Sequence, residues 1–505
     1  MTASTTPHHR APAPAAEPAT TKEGADRRGP FRPARLVTAR ERQSGREAAH
    51  GFRLLDVIAL TVVSALVLQT VGRDSVLALP VSRALPMVAA AMTTGRLLRS
   101  VGLYRFGRRE QYVRHAAGVL AVVVAGALVG VLVAALVGRE AQARDVVVSW
   151  GPPTLVVLLV LHSAWWALVR RWRQAGRLTP NIVIVGATSH AEQIVADALA
   201  ERDVNVLGIF DDRLSRSPRD VAGVPVLGDV AALVNHRMTP FVDLIVIAVD
   251  PTARTRVRQV MDRLAALPNE VVLVVDDDGA GRHAAIQRLA DAPLSPLDIV
   301  ADPGRRAFAK RVQDATISAV LLVVLAPLFG LIALAVRLDS PGPVFFRQRR
   351  HGFNNEEVVV WKFRTMRVEA TDQRAERQVT AGDDRVTRVG RILRKTSLDE
   401  LPQLLNVLEG SMSLVGPRPH AIGMKTGEED SAGLVAEYAQ RNRIKPGMTG
   451  WAAIKGSRGP LHSADDVRRR VSLDVHYIDH QSFWLDAWIL AMTVPSVFGD
   501  RSAIR

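Results

Sequence analysis

The sequence predicts a membrane protein of the α/β class, with an N-terminal four-helix transmembrane bundle, a doubly wound α/β domain and a second, cytoplasmic α/β domain. Of its 505 residues 48% are hydrophobic although 23% are charged, so the apolar residues must be gathered into blocks. Four such blocks precede residue 173, and a fifth follows residue 310. Between them, short apolar runs alternate with helical patterns, which is typical of a parallel sheet covered by helices. A chain of this length exceeds a single core and should form several domains.

The composition restricts the partners and the compartment. The chain carries 65 Lys and Arg against 50 Asp and Glu, a net charge of +15. A basic excess suits nucleic acid, anionic lipid headgroups or a phosphorylated substrate. Cysteine is absent from the sequence, which excludes disulfides and thiolate metal sites and fits a reducing compartment.

Residues 1–50 are rich in Ala, Pro, Thr and Arg and lack apolar periodicity. This composition predicts a disordered basic tail. Its arginines suit contact with anionic lipid or a solvated topology signal, and the two readings are compatible.

Four transmembrane helices are predicted within residues 51–173. The apolar blocks are Leu54–Val71, Val76–Met92, Ala116–Val137 and Val146–Val169. A helix needs about 20 apolar residues to cross a bilayer; the second block is weaker because Pro80 and Pro86 interrupt it. It is counted because arginine-rich loops then alternate with neutral ones, which places both the N-terminus and everything after Arg170 in the cytoplasm. Asp56, near the start of the first span, is expected at the interface.

Residues 179–300 should form the doubly wound domain. The predicted strands are Asn181–Val185, Val204–Phe210, Leu244–Val249 and Val271–Val275, and the predicted helices include Ala191–Leu199 and Ala253–Leu267. Gly186 follows the first strand without the other two glycines of GxGxxG, so the dinucleotide fingerprint is degraded. Asp211 and Asp212 end the second strand, where either a ribose-binding acid or a turn-forming acid would sit.

The fifth apolar block, Ala315–Val336, has Pro327 at its centre. A fifth span would move the rest of the chain to the outer face, yet basic residues flank the block on both sides. A central proline removes a backbone hydrogen bond and kinks a helix. The pattern therefore predicts a re-entrant membrane helix that enters one leaflet, bends at Pro327 and returns.

The segment from Leu393 to His420 carries the chemistry. Asp399 and Glu400 are adjacent there, between basic residues and a Gly-Pro-Arg-Pro turn that contains Arg418. Carboxylates beside fixed cations are what metal-assisted phosphoryl transfer needs. Arg418, between two prolines, is either a phosphate fork held by a stiff turn or a solvated turn residue. Ser397 and Glu400 also match a capping box, which leaves a structural role open for Glu400.

Five ordered segments resemble one bacterial enzyme family, the polyprenyl-phosphate sugar-1-phosphate transferases that start exopolysaccharide and capsule repeat units. The matching segments are DSPGPVFFRQRRHG (Asp339–Gly352), WKFRTM (Trp361–Met366), DDRVTRVGRILRKTSLDELPQLLNVLEG (Asp383–Gly410), MSLVGPRP (Met412–Pro419) and KPGMTGWAAIKGSRG (Lys445–Gly459). The resemblance implies that residues 306–505 form the re-entrant helix and a cytoplasmic catalytic domain, and that residues 179–300 are the Rossmann-like domain inserted in larger members.

The resemblance also implies an activity and a location. Such enzymes sit in the inner or plasma membrane and transfer a sugar-1-phosphate from a UDP-sugar to polyprenyl (undecaprenyl) phosphate, releasing UMP through a phospho-aspartyl intermediate. It assigns Asp399 as the nucleophile and Glu400 as its partner at a Mg²⁺ ion and phosphate. Further candidates for phosphate binding are Arg418, Lys362, Arg364, Arg385, Arg388, Lys310 and Arg311, the last two suited to a lipid phosphate or to headgroups.

Other interpretations remain open at this point. The chain has Ala452–Gly456 where many relatives have Ala-Gln-Val-Asn-Gly, so the identity of the sugar is undetermined. A non-catalytic membrane scaffold that senses a nucleotide is one alternative, against which the intact Asp399, Glu400 and Arg418 count. A membrane-tethered nucleic-acid binder is the other, but the arginines lie mostly at membrane edges and aromatic residues are only 5%. The expected partners are a UDP-sugar, polyprenyl phosphate and the lipid bilayer, without nucleic acid; a homo-oligomer is left open.

Overall fold

The computed structural model describes residues 36–499 with gaps. Nothing is described for residues 73–80, 105, 107–110, 202–203, 214–215, 235, 250–253, 274–302, 369–382, 427–428, 432–433, 436, 460 and 462. Most of the predicted disordered tail and the end of the fourth predicted strand of the doubly wound domain, after residue 273, therefore lie outside the described residues. The tail prediction is wrong for residues 39–50, which begin the first helix.

The N-terminal part is a bundle of helices. They are α1 (Ala39–Gly72), α2 (Val81–Ser100), α3 (Tyr112–Leu136), α4 (Glu140–Asp145) and α5 (Gly151–Gln174), with a π-helical turn Val146–Trp150 joining the last two. Among the described residues, three helical stretches are long and apolar enough to cross a membrane: His50–Val71, Tyr112–Leu136 and Glu140–Gln174. Helix α2 contacts α3 extensively but is less apolar, because Arg83, Arg96 and Arg99 lie within it.

A chain of polar side chains lies buried inside this bundle. The Asp56 carboxylate accepts a hydrogen bond of 2.5 Å from the Tyr104 hydroxyl and lies 3.4 Å from His162 Nε2. His162 in turn is 2.9 Å from His115. Asp56 is 1% exposed, so its carboxylate is buried among the helices; the prediction that it lies near the membrane interface stays a prediction. Burial of a carboxylate among apolar helices requires such partners, and these side chains supply them.

The middle part, hereafter the sheet domain (residues 181–273), is built on six strands. They are β1 (Asn181–Val185), β2 (Asn205–Phe210), β3 (Asp220–Val221), β4 (Val224–Gly228), β5 (Leu244–Ile247) and β6 (Glu270–Leu273), in the spatial order β3-β4-β2-β1-β5-β6. All neighbours pair in parallel except β3, which pairs antiparallel with β4. The first three predicted strands are present with ends shifted by two residues or fewer.

Helices cover both faces of this sheet. They are α6 (Ser189–Glu201) on one face and α7 (Val230–Val234) and α8 (Arg254–Leu264) on the other. Strand β1 is buried at all five positions, as expected for a central parallel strand whose two faces both pack against helices. The doubly wound prediction is confirmed, and its physical cause is the alternation of apolar strands with amphipathic helices.

A bent pair of apolar helices follows, α9 (Pro303–Val324) and α10 (Ala326–Asp339). The two axes differ by 63° at Leu325. Pro327 lies in the first turn of α10, where its missing N–H is tolerated and where it prevents α9 from continuing. The predicted bend therefore falls within two residues of the proline.

The remainder, hereafter the C-terminal region (residues 340–499), combines short strands and helices. Its strands are β7 (Phe345–His351), β8 (Glu357–Phe363), β9 (Ser413–Val415), β10 (Lys425–Thr426), β11 (Glu429–Asp430) and β12 (Gly447–Thr449). Its further helices are α11 (Arg388–Thr396), α12 (Gln403–Glu409), α13 (Trp451–Ile454), α14 (Ala464–His480) and α15 (Phe483–Gly499). Strands β7 and β8 form an antiparallel hairpin, and β9 pairs in parallel with β12.

Candidate active site

The acid pair lies in a tight connection between two helices. Helix α11 ends at Ser397, whose backbone is left-handed with φ 57°. A 3₁₀ turn, Leu398–Glu400, follows and leads into α12. Ser397 makes no side-chain cap on this turn, and its hydroxyl accepts a bond from Arg458 instead. The capping-box interpretation of Glu400 is therefore wrong, because the serine side chain caps no amide of this turn.

Glu400 is clamped by two cations. The Lys362 ammonium donates to Glu400 Oε1 at 2.9 Å. The Arg418 guanidinium donates to both carboxylate oxygens, at 2.5 Å to Oε1 and 3.2 Å to Oε2. Glu400 is 7% exposed, so these bonds form away from bulk water, where charge-assisted pairs are strong. Glu400 thus joins strand β8 to the turn that carries Arg418.

Asp399 lies beside this clamp and is equally buried, at 6% exposure. Burial lowers the pKa of Lys362 and of Arg394, and the negative charge of Asp399 partly offsets that effect on both. Glu400 raises the pKa of Arg418, and Asp399 adds to this in the same direction. The Arg394 guanidinium is itself held by the Thr365 hydroxyl at 2.8 Å. The site is therefore a buried carboxylate pair within a shell of three cations.

The pKa values of Arg418 and Lys362 shift in opposite directions. Glu400 raises the pKa of Arg418, because the bidentate pair stabilises the charged guanidinium. Burial lowers the pKa of Lys362, and Glu400 only partly offsets that effect. An anionic phosphate entering the site would stabilise the charge that burial disfavours on Lys362.

The turn that carries Arg418 packs closely against the backbone at Gly447. A side chain at Gly447 would approach the Gly416 backbone nitrogen to 2.1 Å, so only glycine permits this packing. The Gly447 amide donates to the Pro417 carbonyl and the Gly416 amide to the Thr449 carbonyl. The Gly-Pro-Arg-Pro and Lys-Pro-Gly-Met-Thr-Gly motifs are thus one structural unit. Two arginines absent from the predicted site, Arg350 and Arg441, bind carbonyls of the same turn.

The other predicted phosphate ligands lie elsewhere. Arg364 is buried and donates to carbonyls of Val336, Ser340 and Pro341. Arg385 forms a bidentate pair with Asp383. Lys310 pairs with Asp486 at 2.7 Å, and Arg311 donates to the carbonyls of Val407 and Leu408. Arg388, at the start of α11, is exposed.

Of the seven predicted cations, Lys362 and Arg418 bond to Glu400 of the acid pair. Arg394, Arg350 and Arg441 were missed as site residues. For Arg394 a signal existed, because it lies within the basic approach to Asp399. For the other two none existed, because they reach the site through the fold alone.

The resemblance implies Mg²⁺, and the donor set fits that ion. The two carboxylates are hard oxygen donors, and Mg²⁺ is commonly held by one or two carboxylates together with substrate phosphates. Among the described residues no group of three His, Cys, Asp or Glu could form a complete cage. Both oxygens of Glu400 already engage cations.

These features describe a membrane-associated protein of the α/β class with a buried carboxylate pair among cations. Known protein families agree. Residues 305–500 match the family model described as bacterial sugar transferase, and residues 99–285 match one described as CoA-binding domain.

Curated relatives extend the match to most of the chain. The chain is 39% identical over 370 residues to the undecaprenyl-phosphate glucose phosphotransferase of Komagataeibacter xylinus, covering 70% of this chain and 66% of that protein. It is 36% identical over 377 residues to the UDP-glucose:undecaprenyl-phosphate glucose-1-phosphate transferase of Xanthomonas campestris pv. campestris, covering 72% and 76%. It is 48% identical over 187 residues to the exopolysaccharide production protein PSS of Rhizobium leguminosarum bv. phaseoli, covering 37% and 94%.

The chain belongs to the family of bacterial polyprenyl-phosphate sugar-1-phosphate transferases. It is accordingly a membrane enzyme of the hexose-1-phosphate transferase type.

Proposed function

We propose that the protein transfers glucose-1-phosphate from UDP-glucose to undecaprenyl phosphate at the cytoplasmic membrane face and so starts the assembly of an exopolysaccharide. The observation that carries this proposal is the Lys362–Glu400–Arg418 clamp beside the buried Asp399. The names of two relatives supply the donor sugar and the lipid acceptor. The substitution at Ala452–Gly456 leaves the choice of sugar to experiment; Lys455, which is new there, lies over the Trp451 ring.

In the first step a carboxylate oxygen of Asp399 attacks the phosphorus that bears the sugar. A bond forms between this oxygen and phosphorus, the phosphorus–oxygen bond of the diphosphate bridge breaks, and UMP leaves with the electron pair. Arg418 holds the phosphate oxygens as charge develops, and Glu400 orients Arg418 and Lys362. In the second step an oxygen of undecaprenyl phosphate attacks the same phosphorus and frees Asp399, giving an undecaprenyl-diphosphate sugar.

Mg²⁺ would be held by Asp399 and Glu400 together with diphosphate oxygens, and would supply charge neutralisation to the donor. The remaining contributions belong to the chain itself. The proline-flanked turn keeps Arg418 in place, and Glu400 holds its guanidinium.

The bent pair α9–α10 brings the lipid acceptor to the site, as a re-entrant helix. Both ends of this pair contact the same C-terminal region. Asp314 in α9 accepts a bond from Ser413, and Val336 in α10 packs against Phe363. The middle of the pair exposes apolar side chains to the surroundings, such as Val323 at 76% and Leu331 at 66%. A straight span would separate its ends by about 30 Å of hydrocarbon, so contacts of both ends with one region support a return to the same face.

For the N-terminal bundle, we infer that α2 is the fourth span. Its packing along α3 supports this inference, as does the alternation of positive and neutral loops. With four spans and a re-entrant pair, the sheet domain and the C-terminal region share the cytoplasmic face.

UMP release tests the proposal directly. Membranes that contain the overexpressed protein are supplied with undecaprenyl phosphate, Mg²⁺ and one UDP-sugar from a panel of glucose, galactose, N-acetylglucosamine and N-acetylgalactosamine. UMP release that requires the lipid acceptor for multiple turnovers, with the highest kcat/KM for UDP-glucose, supports the proposal. Preference for another sugar corrects the substrate, and absence of release with every sugar refutes the activity.

A further inference from the structure

The short 3₁₀ helix Tyr438–Arg443 has two sides with different partners. On one side, the Gln440 amide donates to the carbonyls of Ala265 and Leu267 in the sheet domain, each at 2.9 Å. On the other side, Arg441 donates to the Arg418 carbonyl at 2.7 Å. Adjacent residues therefore connect the two parts: Gln440 bonds to the sheet domain, and Arg441 bonds to the backbone of Arg418.

Arg441 is fixed by a buried network. Its guanidinium pairs with Asp474 at 2.7 Å, and both side chains are 2% exposed. It also lies 2.5 Å from His420 Nδ1, which the Tyr438 hydroxyl contacts as well. A buried, fully bonded arginine transmits displacement because its fork has few alternative positions.

The tip of the β7–β8 hairpin makes a second connection. Asn354 is 5% exposed and has a left-handed backbone with φ 54°. Its amide donates to the carbonyls of Pro240 and Val242 at 3.1 and 3.0 Å, and its oxygen accepts from Asn269 at 2.9 Å. All three partners belong to the sheet domain.

The same hairpin also bonds to the turn that carries Arg418. Four residues before Asn354, Arg350 donates to the Pro419 carbonyl at 2.5 Å. The next amide, that of His351, donates to the His420 carbonyl at 3.1 Å. Strand β8 of this hairpin carries Lys362, the second cation on Glu400.

We propose that the sheet domain positions Arg418 through these two connections, and that Gln440 and Asn354 are positioning residues for the binding of the donor diphosphate. The inference rests on the proposed function, because it assigns Arg418 to the donor phosphates. It gives the sheet domain a role that a shorter relative must do without: the match of 187 residues covers 94% of the Rhizobium leguminosarum protein, which is too short to contain both the sheet domain and the C-terminal region.

Three substitutions test the proposal in the full-length protein in membranes. Gln440→Ala removes both amide bonds to the sheet domain. Asn354→Gly removes the hairpin bonds and keeps the left-handed backbone without strain, because glycine adopts positive φ readily. Asn269→Ala removes the bond to Asn354 by a change on the sheet-domain side of the contact. Each should raise the KM for UDP-glucose by about 2- to 30-fold, the range of energetic coupling between distant sites, while kcat changes less.

Two matched controls lie on the same elements. Arg443→Gln alters the exposed end of the 3₁₀ helix, where Arg443 pairs loosely with Asp479 at 3.7 Å. Arg349→Gln alters an exposed side chain of the hairpin that faces Glu357 at 3.5 Å. Both should keep the wild-type KM.

The outcomes separate the two proposals. A raised donor KM in the three variants, with normal controls and a reduced thermal shift on addition of UDP-glucose, supports the positioning role. A wild-type KM and thermal shift in all three, with only the melting temperature lowered, means that these contacts are merely structural and overturns it. If the wild type itself releases UMP from no UDP-sugar, the proposed function fails and this inference fails with it.

Discussion

At the scale of single residues, two adjacent carboxylates have different surroundings. Glu400 has both oxygens engaged by Lys362 and Arg418, whereas Asp399 lies within the field of the same cations and of Arg394. Adjacent acids placed in different environments can take different roles. The proposed function accordingly assigns the cation clamp to Glu400 and the attack on phosphorus to Asp399.

Replacing the nucleophile tests this division. Asp399→Asn keeps the shape and hydrogen-bonding capacity but removes the attacking charge. UMP release should fall by about 10³- to 10⁶-fold, as it does when other enzymes lose a covalent nucleophile. The exposed Asp384 offers a matched control, and Asp384→Asn should retain wild-type turnover. Near-normal release by Asp399→Asn would disprove the covalent mechanism.

His420 predicts a dependence of stability on pH. Burial and the neighbouring Arg441 hold the pKa of His420 well below its ordinary value of 6.5. The unfolded chain therefore takes up a proton as the pH falls below 6.5, while the folded chain does not. Folded stability should decline by about 1.4 kcal/mol per pH unit in that window, until the pH reaches the folded pKa.

A neutral replacement isolates this effect. In His420→Asn the loss of stability between pH 6.5 and 5 should be smaller by the contribution of this one group, whatever the absolute melting temperature of the variant. Thermal unfolding in detergent at a series of pH values measures it. A variant and wild type with parallel pH profiles would show that His420 does not contribute.

At the scale of elements, the bent pair α9–α10 is the feature that decides the topology. Its length and composition would also fit a membrane span. The 63° bend and the contacts of both ends with the C-terminal region favour a return to the starting face.

Cysteine labelling distinguishes the two topologies. The chain lacks native cysteine, so Ala309→Cys and Ser340→Cys each introduce a single reactive site. A membrane-impermeant maleimide should label both positions in inside-out vesicles and neither in intact cells. Labelling of the two positions from opposite faces would show that the pair crosses the membrane.

At the scale of the whole molecule, three parts meet at one junction. Arg42, at the start of α1, pairs with Asp243 of the sheet domain at 2.6 Å, and Arg40 lies 3.4 Å from Glu356 of the C-terminal region. The acid pair and its cations all lie in the C-terminal region. The membrane bundle therefore contacts both other parts, and the described contacts of the acid pair come from the C-terminal region.

Deletion of residues 1–178 should leave a folded protein that still binds membranes through α9–α10 and releases UMP. The Arg40 and Arg42 pairs are lost, so a lower melting temperature is expected. Activity and membrane association of the truncated chain measure the outcome. A truncated chain that is folded and membrane-bound but inactive would show that the bundle takes part in catalysis.

The sequence by itself determined the order of parts, the strands β1, β2 and β5, the bend near Pro327 and the acid pair. Each of these depends on local information: apolar periodicity, a proline, or a run of adjacent residues. The family resemblance rests on the same local segments.

Only the tertiary structure decided which cations reach the acids. Lys362 is separated from Glu400 by 37 intervening residues and meets it because β8 passes beside the 3₁₀ turn. Arg364, two residues further along, turns to the Ser340–Pro341 carbonyls instead. Residues two apart along a strand point to the same face. Even so, the fold places different partners next to each of them. For that reason the sequence alone does not distinguish a cation that bonds to the acid pair, such as Lys362, from one with a structural role, such as Arg364.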